Sequence, residues 1–364
     1  IGKGLDEAGL AHGAVERLAT PRRLAVRVRR LAAQQPDRAI EKRGPPLKAA
    51  FDAQGAPTQA ALAFARGCGV EVSSLEQLET PKGVWLVHRG TEAGARTIDL
   101  LPGIVQSALD ALPIARRMRW GAGEDQFVRP VHWVLMLFGR ETVPCEILGV
   151  RASNLTRGHR FMAPRELRVS SPASYAGLLH RRGRVMADIH ERRETIRQGV
   201  VAAAERLGGV AVIEEALLDE VTALVERPNV LACQFEKEFL DVPQECLILT
   251  MKANQKYFPL LDAAGRLTNK FLVVSNDPSA VIGGNERVVR PRLADAKFFF
   301  DQDRKKSLMD RIPGLSKVVY HNKLGTQGER VERGAALARA IGDKLGGEEL
   351  ANAADRAAVL AKAD

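Results

Sequence analysis

The chain has 364 residues, 45% of them hydrophobic and 27% charged, which is too long for one compact core and predicts two to three domains. Its longest apolar run, at residues 131–138, is far shorter than the roughly 18 residues that a membrane-spanning helix needs, so neither such a helix nor a membrane partner is expected. Lys and Arg number 54 against 44 Asp and Glu, a net charge of +10 that favours a polyanionic partner. An arginine-rich and alanine-rich genome would give the same excess of base without such a partner.

The four cysteines are isolated from one another in the sequence. Cys68, Cys145, Cys233 and Cys246 form no CxxC pair, and no histidine stands near them at the spacing of metal ligands. A zinc site and a disulfide scaffold are therefore not expected, and the sequence predicts a cytoplasmic protein without a bound metal. Because the chain begins without a methionine and stops within a helical pattern, we expect it to be a fragment cut at both ends.

The first predicted element is a strand within residues 20–30, where apolar and basic residues alternate. One face carries Leu24, Val26 and Val28, and the other carries Arg23, Arg27 and Arg29. A period of two is typical of a strand with one buried face. The pattern therefore predicts that the apolar side chains point into the core and that the arginines form a basic outer face.

The segment that follows, residues 34–57, is rich in proline, glycine and charge, which predicts a loop or an extended segment before a short alanine-rich helix. A strand is predicted at 84–88 and a helix at 100–112. The run at 131–138 is continuous, apolar and of strand length, which favours a strand buried on both faces. A shorter strand is predicted at 146–150.

The next part of the chain carries helices with apolar residues at helical spacing, and one hairpin. The predicted elements are helices at 172–180, 188–207 and 214–225, a strand at 229–235, and strands at 257–261 and 271–275 around a turn with Gly265. From residue 285 onward helix formers dominate and strand signals stop. Helices are predicted there at 287–308, 326–345 and 348–364.

Together these elements predict an α+β fold, in which mixed strands and helices are followed by an all-helical, HD-like region. The predicted parts are an α+β region with the basic strand at residues 1–150, a second α+β region with the hairpin at 151–280, a helical linker at 281–315, and the truncated start of the HD-like domain at 316–364.

The usual motifs of a self-sufficient catalyst are absent from the sequence. It contains no GxxxxGK[ST] loop, no GxGxxG after a strand, no HExxH and no GxSxG. No catalytic residue is therefore predicted in this chain.

Basic residues instead recur beside aromatic ones, and also on the first strand. Arg and Lys neutralise phosphates while a neighbouring ring can stack on an unpaired base, a combination that suits a structured RNA ligand. Each cluster alone is also typical of a solvated face or of ion pairing. The candidate RNA-binding residues are Arg22, Arg23, Arg116, Arg119, Arg157, Arg160, Lys252, Lys256, Arg290 and Arg292.

Two histidines and an aromatic triplet permit more than one interpretation. His132 lies in an apolar run and is predicted to be a core or boundary residue. His159 lies in a polar loop, where it could contact a phosphate or cap the loop. The triplet at 298–300 favours core packing with one ring left at an interface, and stacking on nucleobases is the alternative.

His321 opens the helical region, and Ala363 and Asp364 follow it at a distance that resembles the HD phosphohydrolase superfamily. The metal site of that superfamily is built from a His, a His-Asp doublet and a later Asp. Here alanine replaces the histidine of the doublet, and a carboxylate without that imidazole would bind a divalent metal poorly. We therefore expect His321 and Asp364 to be degenerate HD-like positions in a helical scaffold without hydrolase activity.

Several ordered segments together resemble one family, the β subunit of bacterial tetrameric glycyl-tRNA synthetase. They are 19–26 (ATPRRLAV), 41–45 (EKRGP), 118–121 (MRWG), 127–133 (FVRPVHW), 156–161 (TRGHRF), 249–258 (LTMKANQKYF), 284–299 (GNERVVRPRLADAKFF) and 320–327 (YHNKLGTQ). The resemblance runs from one end of the chain to the other and is mostly free of gaps, so it is far more specific than any single motif.

The resemblance implies a subunit of a glycine–tRNA ligase, which joins glycine to its tRNA at the expense of ATP in an α2β2 assembly. It implies that the α subunit holds the adenylate chemistry with ATP and Mg²⁺, that the β subunit binds and positions tRNA(Gly), and that this chain holds no cofactor. It also implies that the chain is the N-terminal half of its subunit, without the C-terminal anticodon-binding domain.

Two other classes of protein stay open at this point. An HD-type metal-dependent phosphohydrolase needs a complete His-Asp doublet and would copurify with a divalent metal, so a metal assay separates it. A purely structural assembly subunit would bind the α subunit but would bind RNA no better than any other basic protein.

Overall fold

The computed structural model describes residues 1–52, 54–81, 83–277 and 281–363. The chain divides into two compact units: one comprises Ile1–Thr195 and Thr222–Pro228, and the other comprises Ile196–Val221 and Asn229–Asp364. Strands and helices interleave before residue 276 and helices dominate after it, so the predicted α+β class is confirmed. The predicted boundaries at residues 150, 280 and 315 stay predictions.

The first unit begins with a short helix and a hairpin, followed by a small sheet with its own helices and by a longer helix. Its elements up to residue 110 are α1 (Gly2–Glu7), β1 (Val15–Thr20), β2 (Arg23–Val28), β3 (Arg38–Pro46), α2 (Leu47–Ala50), α3 (Gln59–Cys68), β4 (Glu76–Thr80), β5 (Gly83–Glu92) and α4 (Thr97–Asp110). The predicted strands at 20–30 and 84–88 and the predicted helix at 100–112 are therefore confirmed as elements.

The burial of β2 is opposite to the prediction at three positions. Leu24 and Val26 are exposed, with 62% and 43% of their surface accessible, whereas Arg23 is buried. The predicted inward face is therefore wrong for Leu24 and Val26. Because side chains alternate along a strand, the burial of Arg23 against Glu226 turns its neighbour Leu24 outward. The carboxylate of Glu226, which determines the buried face of β2, lies 203 residues from Arg23 in sequence. A local alternation of apolar and basic residues cannot reveal such a partner.

Residues 38–92 form an insert with a core of its own. Its three strands are antiparallel in the order β3-β5-β4, and Ala50, Ala61 and Leu86 are buried between the sheet and the two helices. The chain enters and leaves at one place, where the backbone amide of Gln35 donates to the carbonyl of Ala95 at 2.9 Å. Two adjacent stretches of backbone, one entering and one leaving, therefore join the insert to the rest of the unit.

The rest of the first unit is built from short strands in two- and three-stranded sheets. These strands are β6 (Met118–Arg119), β7 (Gln126–Phe127), β8 (Val134–Leu135), β9 (Leu137–Phe138), β10 (Glu141–Thr142), β11 (Glu146–Ile147), β12 (Val150–Ser153), β13 (Leu155–Arg157) and β14 (Glu166–Arg168). The strand predicted at 146–150 is thus a tight hairpin of β11 and β12.

The continuous buried strand predicted at 131–138 is wrong. Two separate strands occupy this run, since β8 pairs in parallel with β12 while β9 pairs with β10 in a hairpin. None of the eight side chains is buried, and His132 is exposed rather than at a core or boundary position. An apolar run indicates a strand but does not identify the strands with which it pairs. Here the run at 131–138 is divided between two small sheets.

The second unit is organised around an antiparallel four-stranded sheet in the order β15-β17-β18-β16. The remaining elements of the chain are α5 (Tyr175–Leu178), α6 (Ile189–Arg206), β15 (Val210–Ala211), α7 (Glu215–Leu224), β16 (Asn229–Gln234), α8 (Gln244–Leu249), β17 (Phe258–Leu261), β18 (Leu267–Ser275), α9 (Ile282–Asp303), α10 (Leu308–Arg311), β19 (Val319–His321), β20 (Gly325–Thr326) and α11 (Gln327–Leu360). The β17–β18 hairpin is confirmed, and Phe271, Met251 and Leu293 pack in the core between the sheet, α8 and α9.

The C-terminal part is helical except for the small β19–β20 hairpin, which the sequence did not indicate. The two helices predicted at 326–345 and 348–364 are confirmed, because Gly346 and Gly347 are not helical and kink α11 between them. Thr326 caps this helix by accepting from the Glu329 amide. Of the described residues, none belongs to a helix that is both long and apolar enough to cross a membrane. The HD-like character of the region stays a prediction.

Candidate nucleic-acid interface

The ten candidate cations fall into two classes by their partners. Seven form ion pairs with carboxylates, and these are Arg22, Arg23, Arg119, Arg157, Lys252, Lys256 and Arg290. The other three, Arg116, Arg160 and Arg292, are exposed and contact no carboxylate within the described ranges of the chain. A cation without an internal partner keeps its full capacity to bind a phosphate.

The two arginines after the first strand are held by one buried carboxylate. Glu226 accepts from Nε and Nη2 of Arg22 at 3.1 and 2.8 Å, from the hydroxyl of Thr20 at 2.7 Å, and from Arg23. Burial raises the pKa of the Glu226 carboxyl, but the hydrogen bonds from Arg22 and Thr20 and the Arg23 charge outweigh it and lower the pKa below its ordinary value. Glu226 is therefore ionised and compensates the two guanidinium groups inside the protein.

Arg192 ties the Glu226 segment to the loop that precedes α6. Its side chain is fully buried and donates to the carbonyls of Met186 at 2.5 Å and of Thr222 at 3.1 Å. The backbone amide of Met186 in turn donates to the Glu226 carbonyl at 2.8 Å. Arg22, Arg23 and Arg192 thus surround the segment that carries Glu226, and each of them stabilises the fold of the first unit.

Arg22 and Arg23 also fix the loop at residues 157–163. Arg22 donates to the carbonyl of Gly158 at 2.8 Å, and Arg23 donates to the carbonyls of Arg157 and Gly158. Only 3% of the Arg23 side chain is accessible, so its guanidinium cannot reach a phosphate at the surface of this structure. In this structure Arg23 therefore supports the loop from inside the protein, and the phosphate contact expected of it stays a prediction.

The loop is rigid by local bonding as well. His159 is buried, and its Nδ1 accepts from the backbone amides of Phe161 and Met162, both at 3.2 Å. Of the two interpretations of His159, the structure supports the loop cap. A Cβ on Gly158 would lie 2.2 Å from the carbonyl oxygen of Ala163, so only glycine fits the turn.

This supported loop presents Arg157, Arg160 and Phe161 to solvent, and of these Arg157 is paired with Glu166. Phe161 has 64% of its surface accessible, and Arg160 beside it is exposed. An exposed ring next to an unpaired guanidinium can stack on a base while neutralising its phosphate. The loop is therefore the strongest single candidate for contact with RNA in the first unit.

A small cavity lies beside this loop. It has a volume of about 140 Å³ and is lined by Trp133, Arg157 and Glu166 among others. The guanidinium carbons of Arg23 and Arg157 lie 5.6 and 5.7 Å from the centre of the Trp133 ring, within cation–π distance. Trp133 is thus held beside the buried cluster while it lines an open cavity.

The basic cluster at residues 252–258 serves a different purpose. Lys252 pairs with Glu214, and Lys256 pairs with Glu220 at 2.9 Å, both within the second unit. The neighbouring Tyr257 and Phe258 are buried in the core. Burial raises the pKa of the Tyr257 phenol to about 12, and its hydroxyl bonds Asn285 at 2.8 Å. The rings expected to stack on bases are therefore core residues.

Helix α9 carries the last pair of candidates and the aromatic triplet. Arg290 pairs with Glu236 at 2.5 Å, whereas Arg292 is exposed. Phe298 and Phe299 are 57% and 63% accessible, so the core packing predicted for the triplet is confirmed only for its third ring, which packs against the core of the second unit.

Comparison with known proteins now decides the family. The sequence model of the family described as "Glycyl-tRNA synthetase beta subunit" matches residues 1–364. The chain belongs to the glycyl-tRNA synthetase beta subunit family. Curated relatives named glycine–tRNA ligase beta subunit are 51% identical in Marinobacter nauticus, 50% in Edwardsiella ictaluri and 52% in Chromohalobacter salexigens.

These relatives are much longer than the present chain. The matches cover 99–100% of this chain but only 52–53% of each of these relatives. The chain therefore spans about half the length of the curated glycine–tRNA ligase beta subunits that it matches. The resemblance read from the eight segments is confirmed at the level of the family.

The HD-like positions of this family member are only partly described. His321 is exposed on β19, and its Nδ1 accepts from the Lys323 amide at 3.1 Å. Asp364 lies outside the described residues, so the expected relation between the two is not shown. Among the residues that are described, no three His, Cys, Asp or Glu side chains lie together as a metal site requires.

Sequence reasoning did not find the residues that organise this region of the synthetase subunit. Glu226 gave no signal because it lies 204 and 203 residues along the chain from Arg22 and Arg23, and Arg192 gave none because it lies among other charged residues of a helical pattern. Trp133 stands out in the sequence only as the last residue of the segment 127–133 that resembles the family. A search for single carboxylates between the end of a helix and a following proline would have identified Glu226 as a candidate. No local sequence feature, however, links Glu226 to Arg22 and Arg23.

Proposed function

We propose that this chain is the tRNA-positioning portion of a glycine–tRNA ligase β subunit. The whole enzyme joins glycine to tRNA(Gly) with ATP, giving AMP and diphosphate. The adenylate chemistry, with ATP and Mg²⁺, belongs to the α subunit of an α2β2 assembly. The present chain supplies no catalytic side chain and no cofactor site.

The observation that carries this proposal is the loop at 157–163. Glu226 holds it through Arg22 and Arg23, and its exposed members include an aromatic ring and an unpaired arginine. Holding such groups rigidly lowers the entropy lost when a ligand is bound. The loop thus has the composition and the preorganisation that contact with an unpaired nucleotide requires.

The distribution of charge supports the same proposal. The net charge is +10, yet most candidate cations are neutralised by carboxylates within the chain. Among the ten candidates, Arg116, Arg160 and Arg292 contact no carboxylate in the described part of the chain, and Arg157 approaches Glu166 only to 3.8 Å, so these four can still release counterions from a polyanion. Each of them that contacts a phosphate is expected to add about one to the slope of log affinity against log salt.

Mechanistically, the chain acts by orientation. A tRNA gripped by its backbone and by stacked bases can be held so that its terminal ribose hydroxyl meets the carbonyl of the activated glycine on the α subunit. Positioning of this kind contributes several kcal/mol to a bimolecular step without any reacting side chain. The absence of catalytic motifs from the sequence agrees with this role.

The test is a titration of the chain with glycine tRNA and with an unrelated tRNA over a series of salt concentrations. We expect tighter binding of both tRNAs than a basic protein of equal charge shows, because the loop adds a stacking ring to the charge, and a preference for glycine tRNA would place part of the recognition of tRNA identity in this half. Equal and steeply salt-dependent binding of both would show that this half supplies charge only, with identity read elsewhere. Binding no tighter than that of a basic protein of equal charge would contradict the proposal and favour a purely structural subunit.

The variant F161A connects the titration to the loop. Loss of one stacking ring is expected to weaken tRNA binding by about 1–3 kcal/mol, while the free energy of unfolding changes little because the ring is 64% accessible. Val210→Ala, at an apolar side chain that is also 64% accessible, is the matched control and should leave tRNA affinity unchanged. Equal affinities of the two variants would remove the loop from the interface.

A further inference from the structure

The cavity beside Trp133 has a lining whose chemistry suits a single planar heterocycle. Its volume is about 140 Å³, and its lining combines an indole ring, the guanidinium groups of Arg151 and Arg157, and the carboxylate of Glu166. Small-molecule sites in proteins typically combine an apolar or aromatic wall with a few convergent polar groups. This open cavity therefore has the mixed lining, aromatic and polar, that such sites require.

The aromatic wall is held in place from within. Trp133 lies within cation–π distance of Arg23, whose position is set by Glu226 and by the carbonyl of Arg157. A ring fixed by a buried network loses little side-chain entropy when a second ring stacks on it. The wall is thus preorganised for stacking.

The polar groups of the cavity keep unused bonding capacity. Arg157 and Glu166 approach to 3.8 Å, close enough for charge attraction but too far for a hydrogen bond. Arg151 is 92% accessible and reaches Glu146 only at 3.9 Å. The carboxylate can therefore accept from the amino group of a base, and the guanidinium groups can bind the attached phosphate.

From this geometry we propose that the cavity binds one unpaired nucleobase of the bound RNA, stacked at Trp133, with its amino group on Glu166 and its phosphate on Arg157 or Arg151. The proposal rests on the proposed function, since it assumes that RNA reaches this face of the first unit. The cavity would add a specific base-binding subsite to the contacts made by the exposed arginines and by the ring of Phe161.

The experiment compares oligoribonucleotides of about five residues with abasic oligomers of the same length and charge. Wild-type chain is expected to bind the oligomer with bases about tenfold more tightly than the abasic one, because stacking contributes about 1–3 kcal/mol per base. Equal affinities for the two by the wild-type chain alone would overturn the subsite.

Two substitutions of one residue assign the effect to the cavity. Both substitutions are compared in the F161A background, so that the exposed ring of the loop cannot contribute; there W133L removes the stacking surface and is expected to abolish the preference that remains, while leaving the affinity for abasic oligomer and its salt dependence unchanged. W133F retains a ring and is expected to restore most of the preference. A preference that survives in W133L would overturn the assignment, as would a loss of abasic binding in a W133L chain that melts at the wild-type temperature.

The same titrations separate the subsite from the wider function. If the chain does not bind RNA, neither oligomer binds and the proposed function fails together with the subsite. If only the subsite is wrong, Phe161 alone carries the preference for the oligomer with bases, and F161A loses that preference even with Trp133 in place. AMP and CMP distinguish the source of the base: mononucleotides that bind as tightly as the oligomer would contradict an RNA occupant.

Discussion

The buried arginines around Glu226 and the exposed arginines of the same chain show how one residue type serves two purposes. Arg22 and Arg23 share a carboxylate and support a loop, whereas Arg160 on that loop contacts no carboxylate among the described residues. In sequence the first pair forms the more conspicuous basic motif. The comparison teaches that the partner of a charge, rather than its density along the chain, decides whether it is available to a ligand.

The largest effect should follow from removing the carboxylate of the buried cluster. E226Q leaves two guanidinium groups without their counter-charge, one of them buried, and is expected to lower the free energy of unfolding by about 3–5 kcal/mol. Unfolding by denaturant measures this change in the free energy of unfolding. The control E92Q breaks an exposed pair with Arg38 and should cost about 0–1 kcal/mol. Equal costs would mean that the cluster is not stabilising.

The same carboxylate predicts a dependence on pH. Its folded pKa lies below the ordinary value of 4.5, so its contribution to stability is complete above that value and is lost as the pH falls through the lower, folded pKa. Unfolding experiments between pH 7 and pH 3, about the range where carboxyl groups titrate, should show a smaller acid-induced loss in E226Q than in wild type. Parallel losses in both proteins would assign the effect to other carboxyl groups.

A smaller effect is expected from crowding the loop that the cluster supports. G158A places a Cβ 2.2 Å from the Ala163 carbonyl and should cost about 1–3 kcal/mol of unfolding free energy. Gly103 lies inside α4, and a Cβ there would meet no atom within 4 Å, so G103A should instead stabilise by up to about 1 kcal/mol. A neutral G158A would show that the turn relaxes easily.

The substitution R160A tests the role of the exposed arginines that contact no carboxylate in the described part of the chain. We expect unfolding free energy to stay within about 0.5 kcal/mol, while tRNA affinity falls and the slope of log affinity against log salt decreases by about one. R266A is the matched control, because Arg266 is 79% accessible but paired with Asp262. If R266A reduced the slope as much as R160A, the distinction between paired and unpaired cations would not matter for binding.

The smallest effect concerns the exposed face of β2. Leu24→Ser is expected to change the free energy of unfolding by no more than about 0.5 kcal/mol, because 62% of Leu24 is accessible. The strand pattern alone would have placed Leu24 in the core, where truncation costs about 2–5 kcal/mol. A loss in that larger range would show that the pattern was right and that the strand face is buried.

The elements of the fold were largely predictable because they depend on local patterns. The hairpin around Gly265, the helix at 189–206 and the break at Gly346 follow from turn residues, helical spacing and glycine. The division of the 131–138 run between two sheets was not predictable, since strand partners are chosen by distant segments.

The candidate site was predictable only in part, for the same reason. The segment at 156–161 was correctly singled out as basic with an aromatic ring, but which of its members face solvent depends on Glu226 and His159. The inward position of Arg23 follows from an ion pair across 203 residues. Family resemblance identified the kind of protein, and only the structure separates supporting arginines from exposed ones.

The most direct measurement is modification of arginines by phenylglyoxal, mapped by mass spectrometry with and without tRNA. Arg116, Arg160 and Arg292 should react in the free chain, and Arg160 should become protected when tRNA is bound, while Arg23 stays unmodified in both states. Reaction of Arg23 in the free chain and its protection by tRNA, with Arg160 unaffected, would contradict the division into supporting and exposed arginines.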